Sequence, residues 1–266
     1  MCTDEPSAVS RQPSAIEVSA GEVVTGDCLE ILRGWVDGSI DHCIADPPFN
    51  ISKKQGLGWA FSSHVTMHEQ WDRYTPEAFY EFNLAWLREV CRVTRVNGNL
   101  LIFGTYHNIY LLGYLLQHVL GLRINNSIIW YKPNAQPNIT ARTLTESTEQ
   151  IIWAVNERAE KARRWTFDYW HAKELNGGKQ MRNLWEFSVT SQKERRFGKH
   201  PSQKPLALVE RIVEIATAPG DLLLDPFGGA GTLAVAAQRL GRRWVLIESV
   251  PEYAEIARRR LASLSS

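Results

Sequence analysis

Along the chain, short apolar runs alternate with stretches whose apolar positions recur at helical spacing. Strands are predicted at Glu22–Thr25, Ile40–Ala45, Asn99–Phe103, Asn126–Tyr131, Gln150–Val155, Leu222–Asp225 and Trp244–Ile247. Continuous apolar runs such as Leu222-Leu223-Leu224 suit strands covered on both faces, the usual state of a parallel sheet. Helices are predicted over Pro76–Val96, Tyr106–Leu120, Pro205–Thr217, Thr232–Leu240 and Glu252–Leu261. The first opens on Thr75-Pro76-Glu77, a capping hydroxyl followed by proline at the first helical position. Its Phe79, Phe82, Trp86, Leu87 and Val90 mark one buried face. The alternation predicts an α/β domain, a mostly parallel sheet with helices on both faces.

Two stretches break the pattern. Ser52–Tyr74 follows a strand end and holds Gly56, Gly58, Trp59 and Trp71. The second, about 156–200, has no clear period. Between Arg158 and Lys204 there are 12 Lys or Arg and 5 Asp or Glu, a local charge of +7 in a chain whose net charge is +1. The remainder is therefore acidic overall. A loop-rich basic segment reads as a recognition module for a polyanion, with a solvated face as the plain competitor.

Apolar residues form 44% of the 266 positions, enough for a sizeable core in one domain carrying an insertion. No run of 18 apolar residues is present, so a membrane span is not expected. The first twenty residues, rich in Ser, Pro and Ala, lack the features of a secretory signal and read as a flexible tail. Cys2, Cys28, Cys43 and Cys91 are widely spaced, and the seven histidines do not join them in a metal-ligand spacing. Reduced, buried thiols of a cytoplasmic protein are expected.

Chemistry enters at two strand ends. After Leu222–Asp225 comes Asp225-Pro-Phe-Gly-Gly-Ala-Gly-Thr232, where Gly229, Gly231 and Ala234 satisfy a G-x-G-x-x-A pattern between strand and helix. Glycines there permit a tight turn and close approach of backbone to a ligand. Glu248 ends the next strand, 17 residues beyond Gly231, near the spacing of a ribose-binding carboxylate. Such a turn can be structural; the spaced acid points to a nucleoside.

The second strand end is Asp46-Pro47-Pro48-Phe49. Two prolines stop the ladder and fix the backbone, which a rigid loop alone would explain. A rigid loop does not explain the acid before them or the aromatic after them. An exocyclic base amine is a poor nucleophile, because its lone pair is delocalised into the ring. The Asp46 carboxylate and Pro47 carbonyl can accept its two hydrogens, while Phe49 stacks on a flipped base. Positioning of the nitrogen in line with a methyl sulfonium completes the chemistry.

With these motifs the chain resembles the amino-methyltransferases of DNA, in the β class, whose catalytic tetrapeptide precedes the cofactor turn. The similarity spans about Gly21 to Leu261. It implies a Rossmann-like class I methyltransferase fold with permuted motif order: a seven-stranded, mostly parallel sheet with one reversed strand and an inserted target-recognition region. It implies S-adenosylmethionine as cofactor. Gly26-Asp27-Cys28-Leu29 matches the element whose acid contacts the adenine, implicating Asp27 and Cys28. His200-Pro-Ser-Gln-Lys-Pro205 matches the segment beside the methionine moiety, implicating Ser202 and Lys204. The turn contributes Asp225, Phe227, Gly229, Gly231 and Thr232, and Ile247-Glu248 matches the ribose region. Two departures stand out: Phe49 where Tyr is commoner, and Val250 where Asp is frequent.

The organisation expected is a tail at 1–20, a catalytic half at 21–155, a target-recognition region at 156–199 and a cofactor-binding half at 200–266. Arg163, Arg164, Arg182, Lys193, Arg195 and Arg196 are the candidate contacts to double-stranded DNA. By analogy, a homodimer and a cognate restriction endonuclease are the further partners. Asp at the first motif position goes with adenine N6 in the resembled family and Ser with cytosine N4, so adenine is favoured and N4-cytosine is the alternative. Methylation of a protein glutamine amide is disfavoured by motif order, since Asp46 precedes Gly229 by 183 residues. A non-catalytic nucleic-acid-binding protein is disfavoured by the intact Asp46, Phe49 and glycine turn. A dehydrogenase is disfavoured by the late position of that turn.

Overall fold

The computed structural model describes residues 16–51, 70–138, 141–157, 161 and 163–264. Most of the N-terminal tail, with Cys2, and most of the Ser52–Tyr74 excursion, with Gly56, Gly58 and Trp59, lie outside the described residues. Eight strands form one sheet: β1 (Glu22–Thr25), β2 (His42–Ala45), β3 (Asn99–Gly104), β4 (Arg123–Tyr131), β5 (Thr148–Val155), β6 (Leu184–Glu186), β7 (Leu222–Asp225) and β8 (Arg243–Glu248). Their order is β1-β8-β7-β2-β3-β5-β4-β6. Pairings are parallel except those of β5, which runs against both β3 and β4. All seven predicted strands are present, with one reversed. The eighth, β6, is three residues from the basic segment, paired to β4 as Trp130↔Trp185.

Side chains alternate across the sheet and meet a helical layer on each side. Cys43, Leu100, Ile102, Leu224 and Val245 join the core under α1 (Cys28–Arg33), α2 (Pro76–Val93) and α3 (Ile109–Tyr114). Ile44, Leu101, Phe103, Leu223 and Leu246 join the core under α4 (Tyr169–Leu175), α5 (Leu206–Ala216), α6 (Thr232–Arg239) and α7 (Pro251–Ala262). That period-two division is what strands buried on both faces require.

Local chemistry sets the helix ends. Thr75 Oγ1 accepts from the Ala78 amide at 3.2 Å, with Pro76 behind it, as the pattern predicts. α2 stops at Val93, three residues earlier than predicted, because Thr94 turns extended to bridge Ile40. The predicted Tyr106–Leu120 helix begins at Ile109 and ends in one π-helical turn, Leu115–Val119. Helix α1 was not predicted: six residues leave too short a period, and its clearest marker is Asp27, which caps it.

The two halves expected from sequence are interleaved. Strands β7 and β8, from the C-terminal part, lie between β1 and β2. Chain progression runs outward from β7 to β8 on one side and from β2 to β3 on the other. The β7/β2 boundary is thus a topological switch point, where a crevice opens beyond the carboxyl ends of the strands. Among the described residues no helix is long and apolar enough to cross a membrane.

Candidate active site

A cleft of about 1440 Å³ opens at that switch point. Four carboxylates sit in a row along its floor, one per strand: Asp27 after β1, Glu248 ending β8, Asp225 ending β7 and Asp46 after β2. Neighbouring strands are about 4.8 Å apart, so the row extends over roughly 15 Å.

At the outer end, Asp27 Oδ1 accepts from the Leu29 and Glu30 amides at 2.8 and 3.1 Å, fixing the carboxylate at the cleft rim. Cys28 beside it is buried, its thiol pushed up to about 12 by burial and by Asp27. Glu248 Oε2 accepts from the Gly229 amide at 2.7 Å and Oε1 from the Val250 amide at 2.8 Å. Burial raises its pKa against the pull of those amides. The carboxylate thus clamps the glycine turn, with further lone pairs available to a ligand.

The glycine turn has φ of +49° at Gly229 and +75° at Gly231, values that suit glycine. A side chain on Gly229 would meet the His200 ring at 3.2 Å. Gly231 does not line the cleft: a Cβ there would come within 2.8 Å of Ala257 in α7, so helix packing requires that glycine. Arg260, which sequence reading overlooked, reaches back from α7 to the Ala230 carbonyl at 2.5 Å and Thr232 Oγ1 at 3.1 Å. Asp225 Oδ1 accepts from the Phe227 amide at 3.0 Å. Burial, with Asp46 and Glu248 nearby, pushes its pKa up to about 8 against the pull of the Phe227 amide and, more weakly, of Lys204. No cation lies in ion-pair range of it among the described residues.

Asp46 is different. Its Oδ2 is 2.6 Å from Lys204 Nζ, while the buried Oδ1 has no hydrogen-bond partner among the described residues. Burial lifts its pKa, Lys204 pulls it back, and it rests near 6. Lys204 also lies 3.5 Å from Glu149, which pairs through its other oxygen with Lys132 at 3.3 Å. Burial would lower the Lys204 pKa; Asp46 and Glu149 outweigh it and hold the ammonium charged. The same ammonium faces the rings of Phe49 and Phe103 at 5.1 and 5.4 Å. The resemblance implies Lys204 at the cofactor's methionine end; in the structure it lines the cleft and its ammonium pairs with Asp46 of the catalytic segment. Ser202 lies at the cleft as expected, its carbonyl accepting from Lys204 Nζ at 3.2 Å.

The backbone after Phe49 is pinned by Asp72, which accepts from the Asn50 and Ile51 amides at 2.5 and 2.9 Å. Asn50, at φ of +60°, exchanges hydrogen bonds with the Tyr74 backbone and closes the base of the excursion. His200 packs between Trp71 and Tyr253, and burial, with Lys204 nearby, keeps its ring neutral by lowering its pKa to about 3. Asp72, Glu149 and Lys132 escaped sequence reading because each acts through a partner distant in the chain.

The proposed DNA contacts scatter. Arg195 lines the cleft; Arg196 and Lys193 are exposed close by in sequence, and Arg182 is exposed before β6. The backbone of Arg163 and Arg164 bonds Asn97, which precedes β3. That is the amino end of the sheet, opposite the cleft, so these two arginines do not belong to the face that holds Asp46.

The family model for N6/N4 methylases, described as DNA methylase, matches residues 40–259. A Type II methyltransferase of Streptococcus pneumoniae, M2.DpnII, is 41% identical over 241 residues, covering 90% of this chain and 88% of its own length. M2.MboI of Moraxella bovis is 38% identical over 240 residues, covering 90% and 86%. Among solved structures, the M1.HpyAVI complex with S-adenosylmethionine superposes with a TM-score of 0.67 at 28% identity, over 90% of this chain and 98% of that one. The cytosine-N4-specific PvuII DNA methyltransferase gives 0.70 at 21% identity, over 93% and 87%, a likeness of fold.

Proposed function

The chain belongs to the N6/N4 DNA methylase family, and from that premise we propose that it methylates N6 of adenine in double-stranded DNA, after flipping the base out. It is an S-adenosylmethionine-dependent DNA methyltransferase. The residues present suit that cofactor: Asp225, its ionisation suppressed and without an ion-pair partner among the described residues, is the partner a sulfonium needs. In this reading Asp27 takes the adenine end, Glu248 the ribose hydroxyls and Asp225 the methionine end. S-adenosylmethionine, when bound, supplies a methyl group on a positively charged sulfur.

The observation that carries the proposal is the free Oδ1 of Asp46, a buried acceptor beside Pro47 at the inner end of the carboxylate row. Asp46 Oδ1 accepts one hydrogen of the amine and the Pro47 carbonyl the other, turning the nitrogen lone pair toward the methyl donor. Pro48 holds the carbonyl in place by fixing the backbone. Phe49 offers its ring to the flipped base. As nitrogen gains the methyl group it sheds a proton, and a carboxylate with pKa near 6 receives it better than an ordinary one.

Adenine is favoured by Asp46 at the first motif position. Duplex contact is assigned to Arg195 at the cleft, with Arg182, Lys193 and Arg196 on the same segment, and 156–199 is the target-recognition region. A homodimer and a cognate restriction endonuclease complete the proposed setting, in the cytoplasm; the Type II designation of the similar enzymes supports the restriction context. The test is to methylate duplex DNA, digest it to nucleosides and identify the product by mass spectrometry. N6-methyl-2′-deoxyadenosine is expected; N4-methyl-2′-deoxycytidine would replace this reading with the alternative.

A further inference from the structure

Reversal of β5 has a consequence for the cleft. In a parallel strand the first residues lie at the amino end of the sheet, far from the site. Because β5 runs against β3, with Gln150 opposite Gly104, its beginning lies at the cleft instead. Glu149 is therefore delivered to the catalytic wall by topology. Its partner Lys132 follows β4, whose Trp130 is the register mate of Glu149.

The result is a chain of alternating charge, Asp46–Lys204–Glu149–Lys132, with separations of 2.6, 3.5 and 3.3 Å and side chains no more than 18% exposed. The ammonium hydrogen-bonds Asp46 on one side and is attracted by the Glu149 charge at ion-pair distance on the other, where Glu149 Oε2 makes no hydrogen bond among the described residues. Without Glu149, Lys204 would keep one anion and Lys132 would lose its own.

We propose that Glu149 is a positioning residue for methyl transfer, holding the Lys204 ammonium on Oδ2 of Asp46 so that Oδ1 alone faces the target amine. The role rests on Asp46 accepting from the amine, as argued above. Glu149 touches neither base nor cofactor; it acts through Lys204. It also sets the proton balance of Asp46, which is faced by Lys204 ahead of α5, Glu149 of β5 and Asp225 of β7. The Asp46 and Glu149 oxygens are at most about 6 Å apart through the shared ammonium. Removing the Glu149 charge lets Asp46 stay ionised to lower pH, by on the order of one unit at an intermediate effective dielectric.

The experiment compares Glu149→Gln, Glu149→Asp and Asp46→Asn with the wild-type enzyme in single-turnover methyl transfer across pH 5–8. Cofactor and duplex affinities are measured alongside. Glu149→Gln is expected to slow the plateau rate roughly 10- to 100-fold, the usual cost of losing an outer supporting group, with both affinities within about twofold by this argument. Its acid limb is expected to move to lower pH, and Glu149→Asp to recover part of the rate and bring the limb back. A full plateau rate or an unmoved limb in Glu149→Gln, or no recovery in Glu149→Asp, overturns the role of Glu149 alone when Asp46→Asn is inactive. An active Asp46→Asn overturns the amine-transfer reading and this role with it.

Discussion

Two neighbouring parallel strands, β2 and β7, each end in Asp-Pro, and the two aspartates have opposite surroundings. Asp46 pairs with Lys204 and has a pKa near 6. Asp225 is more deeply buried, bonds the Phe227 amide, has no cation in ion-pair range among the described residues, and has a pKa near 8. The same dipeptide at adjoining strand ends, with Asp46 two residues further along the register than Asp225, thus yields an ionised acceptor in one place and a suppressed carboxylate in the other. The difference is closeness to one lysine, which ion-pairs with Asp46 and acts on Asp225 only from further off, together with the deeper burial of Asp225. An ion-paired ammonium makes Asp46 ready for a neutral guest, an amine; without such a pair among the described residues, Asp225 is ready for a guest that carries its own positive charge.

Exchanging these roles is the strongest way to break the comparison. Asp46→Ala is expected to lower methyl transfer by roughly a thousandfold or more, since it removes an acceptor aligned only for the reacting amine. Cofactor affinity measured by calorimetry is expected to hold. Asp225→Asn is expected to show the converse. Cofactor binding weakens by roughly 10- to 100-fold, the range for losing an interaction with a charged group, and transfer at saturating cofactor largely survives. Two variants that lose the same function would dissolve the distinction.

Glu248→Ala extends the row outward and is expected to weaken cofactor binding about tenfold. It also frees the Gly229 amide, so thermal stability is checked alongside. Smaller effects are expected on the DNA side. Arg195→Ala with Arg196→Ala is expected to weaken duplex binding and flatten its salt dependence by about one log unit for each phosphate that an arginine no longer neutralises. Arg163→Ala with Arg164→Ala, at the far end of the sheet, is expected to leave binding within about twofold under the same titration. Equal losses in the two pairs would mean that DNA reaches around the domain.

The sequence made the strand ends legible because their chemistry is local. Asp46-Pro-Pro-Phe49 and the Asp225 turn are strings in which geometry and reactive groups lie within a few residues. Long apolar strands and the capped α2 were legible for the same reason. Glu149 was not: in the run Thr148-Glu149-Gln150 it reads as an ordinary polar residue before a strand, and its meaning depends on strand reversal and on Lys204, 55 positions away. Lys204 was found by motif but its ion pairs were not, since a spacing does not show where a long side chain ends. The arginines teach a related lesson. Charge counted along a segment has no direction, and this segment runs from the amino end of the sheet at Arg163 to the cleft at Arg195.

The contrast between the two aspartates is read most directly in protons. At pH 7 a carboxylate with pKa near 8 is mostly protonated, whereas one near 6 is mostly ionised. A sulfonium beside Asp225 lowers its pKa, so S-adenosylmethionine binding at pH 7 is expected to release about one proton, and affinity to rise with pH up to about 8. Calorimetry in buffers of different ionisation enthalpy measures that release. It is expected in the wild-type protein and in Asp46→Asn, and its loss is expected in Asp225→Asn; binding without proton release in the wild-type protein would contradict the division of roles between the two aspartates.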